Sequence, residues 1–451
     1  MILTTNILKY FIVAIIFLSC SHLHSQTGYN FSREKSSKIR FQLINNIIVM
    51  PVELNGIKLS FVLDTGVSRP ILFNLVNMDS LLIKNRERAY LRGLGSNGTI
   101  PAVKSKGNII KIGEAIAINR DVSLVFDPTI NFTSRLGIPV HGIIGYDIFK
   151  DFVVEINYSS KYIRLHKSKF FKARKLSKWK NLPIEIIDRK PYLNGSVSLN
   201  SNKIPVKLLI DTGSSDALWL FEKSRKDIDI PSEKRFRDFL GKGLSGAVYG
   251  VRSKVETFNI DSFNLYNVNV AFPDSTSLTI ARKFKERNGS VSGNILKRFN
   301  LFFDYSRGRL WLKKNGNFKL PFYYNNSGIT IEQNGFRVVK ELKNKVRQDG
   351  YGREVDVGVD LVDRYSFVLK PSFQVVELRE NSNASKVGIR IGDAVIGLNG
   401  RQTNSMTLHD INEFLYDKKG TVLRIRVDRN GKIMSFKFKL DDVFQKKEPS
   451  N

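Results

Sequence analysis

The sequence predicts a mainly β chain: two tandem copies of one β-rich domain, followed by a third unit of different pattern. Three observations carry this. Apolar residues alternate or cluster in runs of four to eight, rich in Val, Ile and Phe, with Gly or Asn-Gly between them, which is the punctuation of strands and turns. A segment around residue 64 recurs around residue 211, and from about Ser327 the pattern changes. The 451 residues, 42% hydrophobic and 11% aromatic, provide for about three domains and exclude wholesale disorder.

Residues 1–25 read as an export signal. Lys9 supplies its charge, Tyr10–Leu18 its apolar core, and Ser25 a small residue for cleavage. The apolar run is shorter than the ~20 residues that span a bilayer. Phe17-Leu18-Ser19 before Cys20 offers a second, lipoprotein-like cleavage, so soluble export and lipid anchoring at Cys20 both stay open. Either route places the mature chain outside the cytoplasm, in the periplasm or cell envelope, or secreted. Cys20 is the one cysteine, which excludes a disulfide framework and a cysteine-based zinc site. With five histidines in all, neither a metal centre nor a cofactor is expected.

Lys and Arg number 72 against 42 Asp and Glu, a net charge of +30. That balance suits an anionic envelope surface. Export, and basic residues dispersed without aromatic interleaving, argue against nucleic acid as a partner.

The repeat organises the first two thirds of the chain. Leu59–Gly66, ending in Asp64-Thr65-Gly66, matches Val206–Gly213, ending in Asp211-Thr212-Gly213, and the aspartates are 147 residues apart. Gly93-Leu-Gly95-Ser-Asn-Gly98 matches Gly241-Lys-Gly243-Leu-Ser-Gly246, and Phe152…Tyr158-Ser159 matches Phe299…Tyr305-Ser306. Landmarks in one order at nearly one offset indicate a duplication. The copies span 31–165 and 183–314, with Asn55-Gly56 as a hairpin signal in the first. Between them, 166–182 is a linker rich in Lys and Arg, read as solvated or as a docking strip for anionic lipid.

Asp64 and Asp211 each close an apolar strand and enter a tight turn. Gly66 and Gly213 let the backbone pass close to the carboxylate, and Thr65 and Thr212 can hydrogen-bond across to the other copy. If the copies pack about a pseudo-twofold axis, two carboxylates meet at one water and share a proton. One then acts as general base on the water while the other donates to a scissile carbonyl.

On these motifs, residues 45–315 resemble the retropepsin-like aspartic proteases, with two copies fused as in the pepsin-like enzymes. The family's apolar-apolar-Gly brace matches Ile143-Ile144-Gly145 well and Val291-Ser292-Gly293 less well. The resemblance implies β-barrel lobes, a peptide cleft between them and polypeptide substrates. It also implies that a hydroxyl after the Gly stabilises the ionised carboxylate. Ser214 fits that role and Val67 does not, so Asp211 is expected to carry the charge and Asp64 the proton.

The glycine segments at 93–98 and 241–246 satisfy a dinucleotide fingerprint as a pattern, but β-type sequence follows each and no βαβ unit surrounds them. About 30 residues beyond each aspartate, they are read as two flaps over the cleft, with Tyr249 as a closing aromatic.

In the last third, Phe373–Leu378 reads as a strand, and Thr407-Leu-His-Asp410 as a capping box opening a helix to about Tyr416. Ala384, Gly388-Ile389, Gly392-Asp393 and Asn399-Gly400 give residues 327–443 a resemblance to a bacterial PDZ domain, with Arg337–Lys370 as an insertion. The resemblance implies capture of a peptide or protein C-terminus by strand addition. Asn326-Ser327-Gly328-Ile329 is then the candidate carboxylate loop and His409 a candidate ligand contact. Whether such a unit recruits substrate or gates the enzyme stays open. The combined reading is an exported aspartic endopeptidase with a PDZ domain; the alternative is a catalytically inactive peptide-binding scaffold of the cell envelope.

Overall fold

Burial alternates along the strand Asn202–Asp211, where Ile204, Val206, Leu208 and Ile210 point into the core, and this pattern recurs through both repeats. The computed structural model describes residues 28–31, 33–73, 81–95, 98–342, 346–348, 354–356, 365–416 and 419–444. Residues 1–25, read from the sequence as an export signal, and Cys20 within them lie outside the described residues. None of the described helices is long and apolar enough to cross a membrane.

Each repeat folds as one eight-stranded sheet, and the two sheets share one strand order. In the first, the spatial order is Gln42–Ile44, Ile47–Leu54, Ile57–Leu63, Gly142–Ile144, Ile71–Leu72, Ala115–Leu124, Thr99–Ile112 and Arg86–Arg92. In the second it is Glu185–Ile187, Lys190–Leu199, Asn202–Asp211, Gly289–Ser292, Leu218–Leu220, Phe263–Pro273, Gly246–Ile260 and Phe236–Gly243. A further pairing of the second strand with the seventh rolls each sheet back on itself into a barrel. The tight turns have the left-handed backbone that two-residue hairpins need: φ is 49° at Asn55 and 88° at Gly56, as the sequence signalled.

A six-stranded sheet joins the lobes. Phe152–Asn157 pairs antiparallel with its repeat counterpart Phe299–Asp304, flanked by Tyr162–Lys167 and Ser36–Arg40 on one side and Arg309–Lys314 and Lys180–Pro183 on the other. The basic stretch between the lobes is anchored to this sheet. Its Phe171, Leu176 and Trp179 pack on Val153, Phe302 and Trp311, while lysines such as Lys172 and Lys178 face solvent.

The C-terminal unit has its own core around Ile329, Phe373, Leu398, Ile411 and Ile425. Its sheet runs Ile329–Leu342, Tyr365–Leu378, Ala394–Leu398, Val422–Arg429, Lys432–Lys439. The helix Leu408–Leu415 carries the expected capping box between Thr407 and Asp410. The charged stretch after Phe336 extends the first two strands into a ribbon, with Arg337 opposite Lys370. Arg298, fully buried, ties the unit's connector to the second lobe: its guanidinium donates to the carbonyls of Asn317, Phe318, Leu320 and Pro321 and lies 3.7 Å from the Phe322 ring centroid.

Candidate active site

Both aspartates stand at strand ends that are braced from the side. Gly142–Ile144 runs parallel to Ile57–Leu63, and the Asp64 amide donates to the Ile144 carbonyl at 2.9 Å. Gly289–Ser292 runs parallel to Asn202–Asp211, with Ser292 opposite Asp211. A Cβ on Gly145 would run into the Asp64 carbonyl, and one on Gly293 into the carbonyls of Asn46 and Ser214. The weaker of the two brace motifs therefore occupies the same structural place as the stronger.

The turns interlock across the lobes. The Thr65 amide donates to Thr212 Oγ1 at 3.0 Å and the Thr212 amide to Thr65 Oγ1 at 3.1 Å. Each hydroxyl in turn donates into the opposite strand, Thr65 to the Ile210 carbonyl at 2.5 Å and Thr212 to the Leu63 carbonyl at 2.7 Å. Gly66 and Gly213 donate their amides to Asp64 and Asp211 at 2.7 and 3.0 Å. A Cβ on Gly213 would overlap the Asp64 carboxylate, and one on Gly66 would lie 3.8 Å from Asp211 Oδ1. The two carboxylates are thus held side by side, each against the other lobe's turn.

Their surroundings are unequal. Burial, then the charge of Asp211, pushes the Asp64 carboxyl up to about 7. Asp211 is also raised by burial, but the Arg287 guanidinium opposes this most strongly, followed by the amide of Gly213, the Lys190 ammonium and the amide of Ser214. Lys190 lowers both carboxyls, whereas Arg287 lowers Asp211, so Arg287 favours the charge on Asp211 and the proton on Asp64. Ser214 contributes through its backbone N–H, and Arg287 does more.

Arg287 and Lys190 are the residues that reading the sequence missed. Arg287 is buried and donates to the Gly289 carbonyl at 3.0 Å and to Ser290 Oγ at 2.7 Å. Lys190 follows the Asp188-Arg189 turn and lines the same cavity as both aspartates. The first lobe has apolar residues at both places. Asn288 Oδ1 accepts from the Lys207 amide as His141 Nδ1 accepts from the Ser60 amide, which aligns Arg287 with Val140. Lys190 likewise matches Ile47, which follows the Asn45-Asn46 turn. Comparing the two repeats for charge, rather than for likeness, would have exposed both.

The glycine segments lie at the tips of two hairpins that meet each other. The Gly93 amide donates to Ser245 Oγ at 3.0 Å, the Ser245 amide to the Leu94 carbonyl at 2.9 Å, and Ser245 Oγ to the Gly98 carbonyl at 2.7 Å. Side chains at Gly95 or Gly243 would collide with the opposing backbone. Gly241 and Gly246 take positive φ on the second hairpin. Tyr249 does not turn to the dyad: its hydroxyl donates to Glu377 of the C-terminal unit at 3.0 Å.

One cavity of about 1710 Å³ runs from the dyad, beneath the hairpins, to the C-terminal unit, where Gly328, Thr330, His409, Asn412 and Tyr416 line it. Ile329 is buried in that unit's core, and His409 is largely exposed, 3.8 Å from Glu413. In the candidate carboxylate loop the amides of Asn326, Ser327 and Ile329 already donate within the protein, to Leu415, Asn325 and Ser327. Among the described residues, no group of three or more His, Cys, Asp or Glu is placed to hold a metal ion.

Residues 50–148 and 195–296 match the aspartyl protease family, one match to each repeat, and residues 340–427 match the PDZ domain family. No curated protein matches the chain. The chain is a mainly β protein that carries two aspartyl protease lobes and a C-terminal PDZ domain.

Proposed function

We propose that the protein is an exported aspartic endopeptidase that hydrolyses peptide bonds with the Asp64–Asp211 pair. The observation that carries this is the reciprocal Thr65–Thr212 lock, which holds two carboxylates side by side in a cavity of about 1710 Å³. Asp211, ionised beside Arg287 and Lys190, takes a proton from water as it attacks the scissile carbonyl carbon. Asp64, protonated, donates to the carbonyl oxygen as it becomes a hydroxyl. The tetrahedral intermediate collapses when the proton gained by Asp211 passes to the leaving amine and one hydroxyl of the intermediate returns its proton to Asp64, leaving the carboxylic acid product. The paired hairpins exclude bulk water and hold the peptide extended. The PDZ domain adds binding of a polypeptide C-terminus, and the basic surface an affinity for anionic envelope.

Residues 28–451 incubated with a denatured protein between pH 3 and 8 test this reading against Asp64→Asn and Asp211→Asn. Cleavage by the wild type that is lost in both variants, and blocked by a statine-type transition-state mimic, is the expected result. Equal activity in all three proteins would defeat it.

A further inference from the structure

The PDZ domain does not stand apart from the protease lobes; it grips the second flap. Asp238, on the flap strand Phe236–Gly243, lies between Arg252 of its own lobe and Arg379 of the PDZ domain, at 3.5 Å from the Nε of each. It also accepts from the Tyr324 hydroxyl on the connector. Arg379 sits at the candidate carboxylate loop: its amide donates to the Gly328 carbonyl at 2.8 Å and its Nη2 to the Asn325 carbonyl at 2.9 Å. Its guanidinium, nine-tenths buried, lies 4.7 Å from the Phe236 ring centroid, also on the flap. On the returning flap strand, Tyr249 reaches Glu377. From the first lobe, Arg135 donates to the Lys242 carbonyl of the flap at 2.8 Å and lies 3.6 Å from Glu332 on the PDZ edge strand.

One feature of Arg379 makes this grip exchangeable. Its Nη1 is buried and has no hydrogen-bond partner among the described residues, and its Nε has only the long contact to Asp238. A guanidinium binds a carboxylate best through two parallel hydrogen bonds. The edge that can do so is Nε–H with the Nη2 hydrogen beside it; Asp238 meets this edge only through its long contact to Nε, so a free carboxylate drawn closer would satisfy Arg379 better, but Phe236 and Asp238 stand in its way.

We propose that the PDZ domain is a latch on the second flap, in which Asp238 holds the seat that a polypeptide C-terminal carboxylate takes, so that ligand binding frees the flap and opens the cleft. This rests on the peptidase reading for its consequence, though not for its test. A lid must open to admit a polypeptide, and the released strand is the one whose tip closes on Gly93 and Leu94.

Hydrogen–deuterium exchange of residues 236–250 in the full chain carrying Asp64→Asn needs no hydrolysis. An N-acetylated apolar heptapeptide ending in a valine carboxylate should speed exchange there about fivefold or more, and its C-terminal amide should not. Glu377→Gln and Asp238→Asn should each speed it without peptide. Exchange unchanged in both variants, or slowed or unchanged by bound carboxylate peptide, would overturn the latch. So would a peptide that fails to bind even Asp238→Asn, where the seat is vacated. In the wild type, the carboxylate peptide should also raise cleavage of an unrelated, C-terminally amidated substrate severalfold. A faster-exchanging flap without that activation refutes the link to catalysis, whereas no cleavage under any condition refutes the peptidase reading alone.

Discussion

Thr65→Val is the sharpest test of how the site is held together. Valine keeps the shape of threonine and removes one hydroxyl, which here makes two bonds across the lobes: it donates to the Ile210 carbonyl and accepts from the Thr212 amide. Both threonines are buried, at 0% and 1% exposure, so water cannot replace what is lost. An orphaned buried amide costs roughly 1–3 kcal/mol and the lost hydroxyl bond about 1 more, a total of about 2–4 kcal/mol. Thr65→Ser keeps both bonds and loses one methyl, about 1 kcal/mol. Urea unfolding followed by tryptophan fluorescence reports on the right part of the molecule, because all three tryptophans, Trp179, Trp219 and Trp311, lie in the lobes or beside the sheet that joins them. A loss below about 1 kcal/mol in Thr65→Val, or equal losses in the valine and serine variants, would refute the reasoning.

The other expectations concern charge and close packing. Lys190→Met and Arg287→Leu should each raise the acidic limb of the kcat/KM–pH profile by about 1 unit, because each removes a cation that favours ionised Asp211; limbs that stay in place would reduce both residues to structural roles. Asp64 has a folded pKa of about 7, above its unfolded value, so the stability tied to its proton is complete below about pH 4 and lost as pH rises through 7. Asp64→Asn should therefore be more stable than the wild type at pH 8, by on the order of a few kcal/mol, and nearly equal to it at pH 4, as read by urea titration at the two pH values. Gly145→Ala should abolish peptide cleavage and lower the unfolding midpoint, because its methyl group meets the carbonyl of Asp64.

What could be read from the sequence was local or repeated. The two Asp-Thr-Gly turns, the Asn55-Gly56 hairpin and the Thr407–Asp410 capping box are short-range chemistry, visible wherever the residues are adjacent. The shared strand order of the lobes follows from duplication, which announces itself at one offset. Contacts between distant residues were hidden. Nothing in the neighbourhood of Asp238 signals that Arg379, 141 residues on, will face it. The basic stretch after His166 looked solvated because its charges dominate; its Phe171 and Trp179 find partners only once Phe302 and Trp311 have been brought beneath them.

Duplication also explains why the hidden features cluster in one lobe. Two identical lobes about a twofold axis would present two equivalent carboxylates, with the shared proton equally at home on either. Once both copies lie in one chain they can differ. The second lobe has Arg287 and Lys190 where the first has Val140 and Ile47, and Arg287 favours the charge on Asp211. Its glycine-tipped hairpin likewise carries Asp238 and Tyr249, both of which reach the PDZ domain. The first lobe's hairpin meets its counterpart at the tip. Arg287, Lys190 and the hairpin that contacts the PDZ domain therefore sit on the same half of the molecule, next to the domain that follows it in the chain.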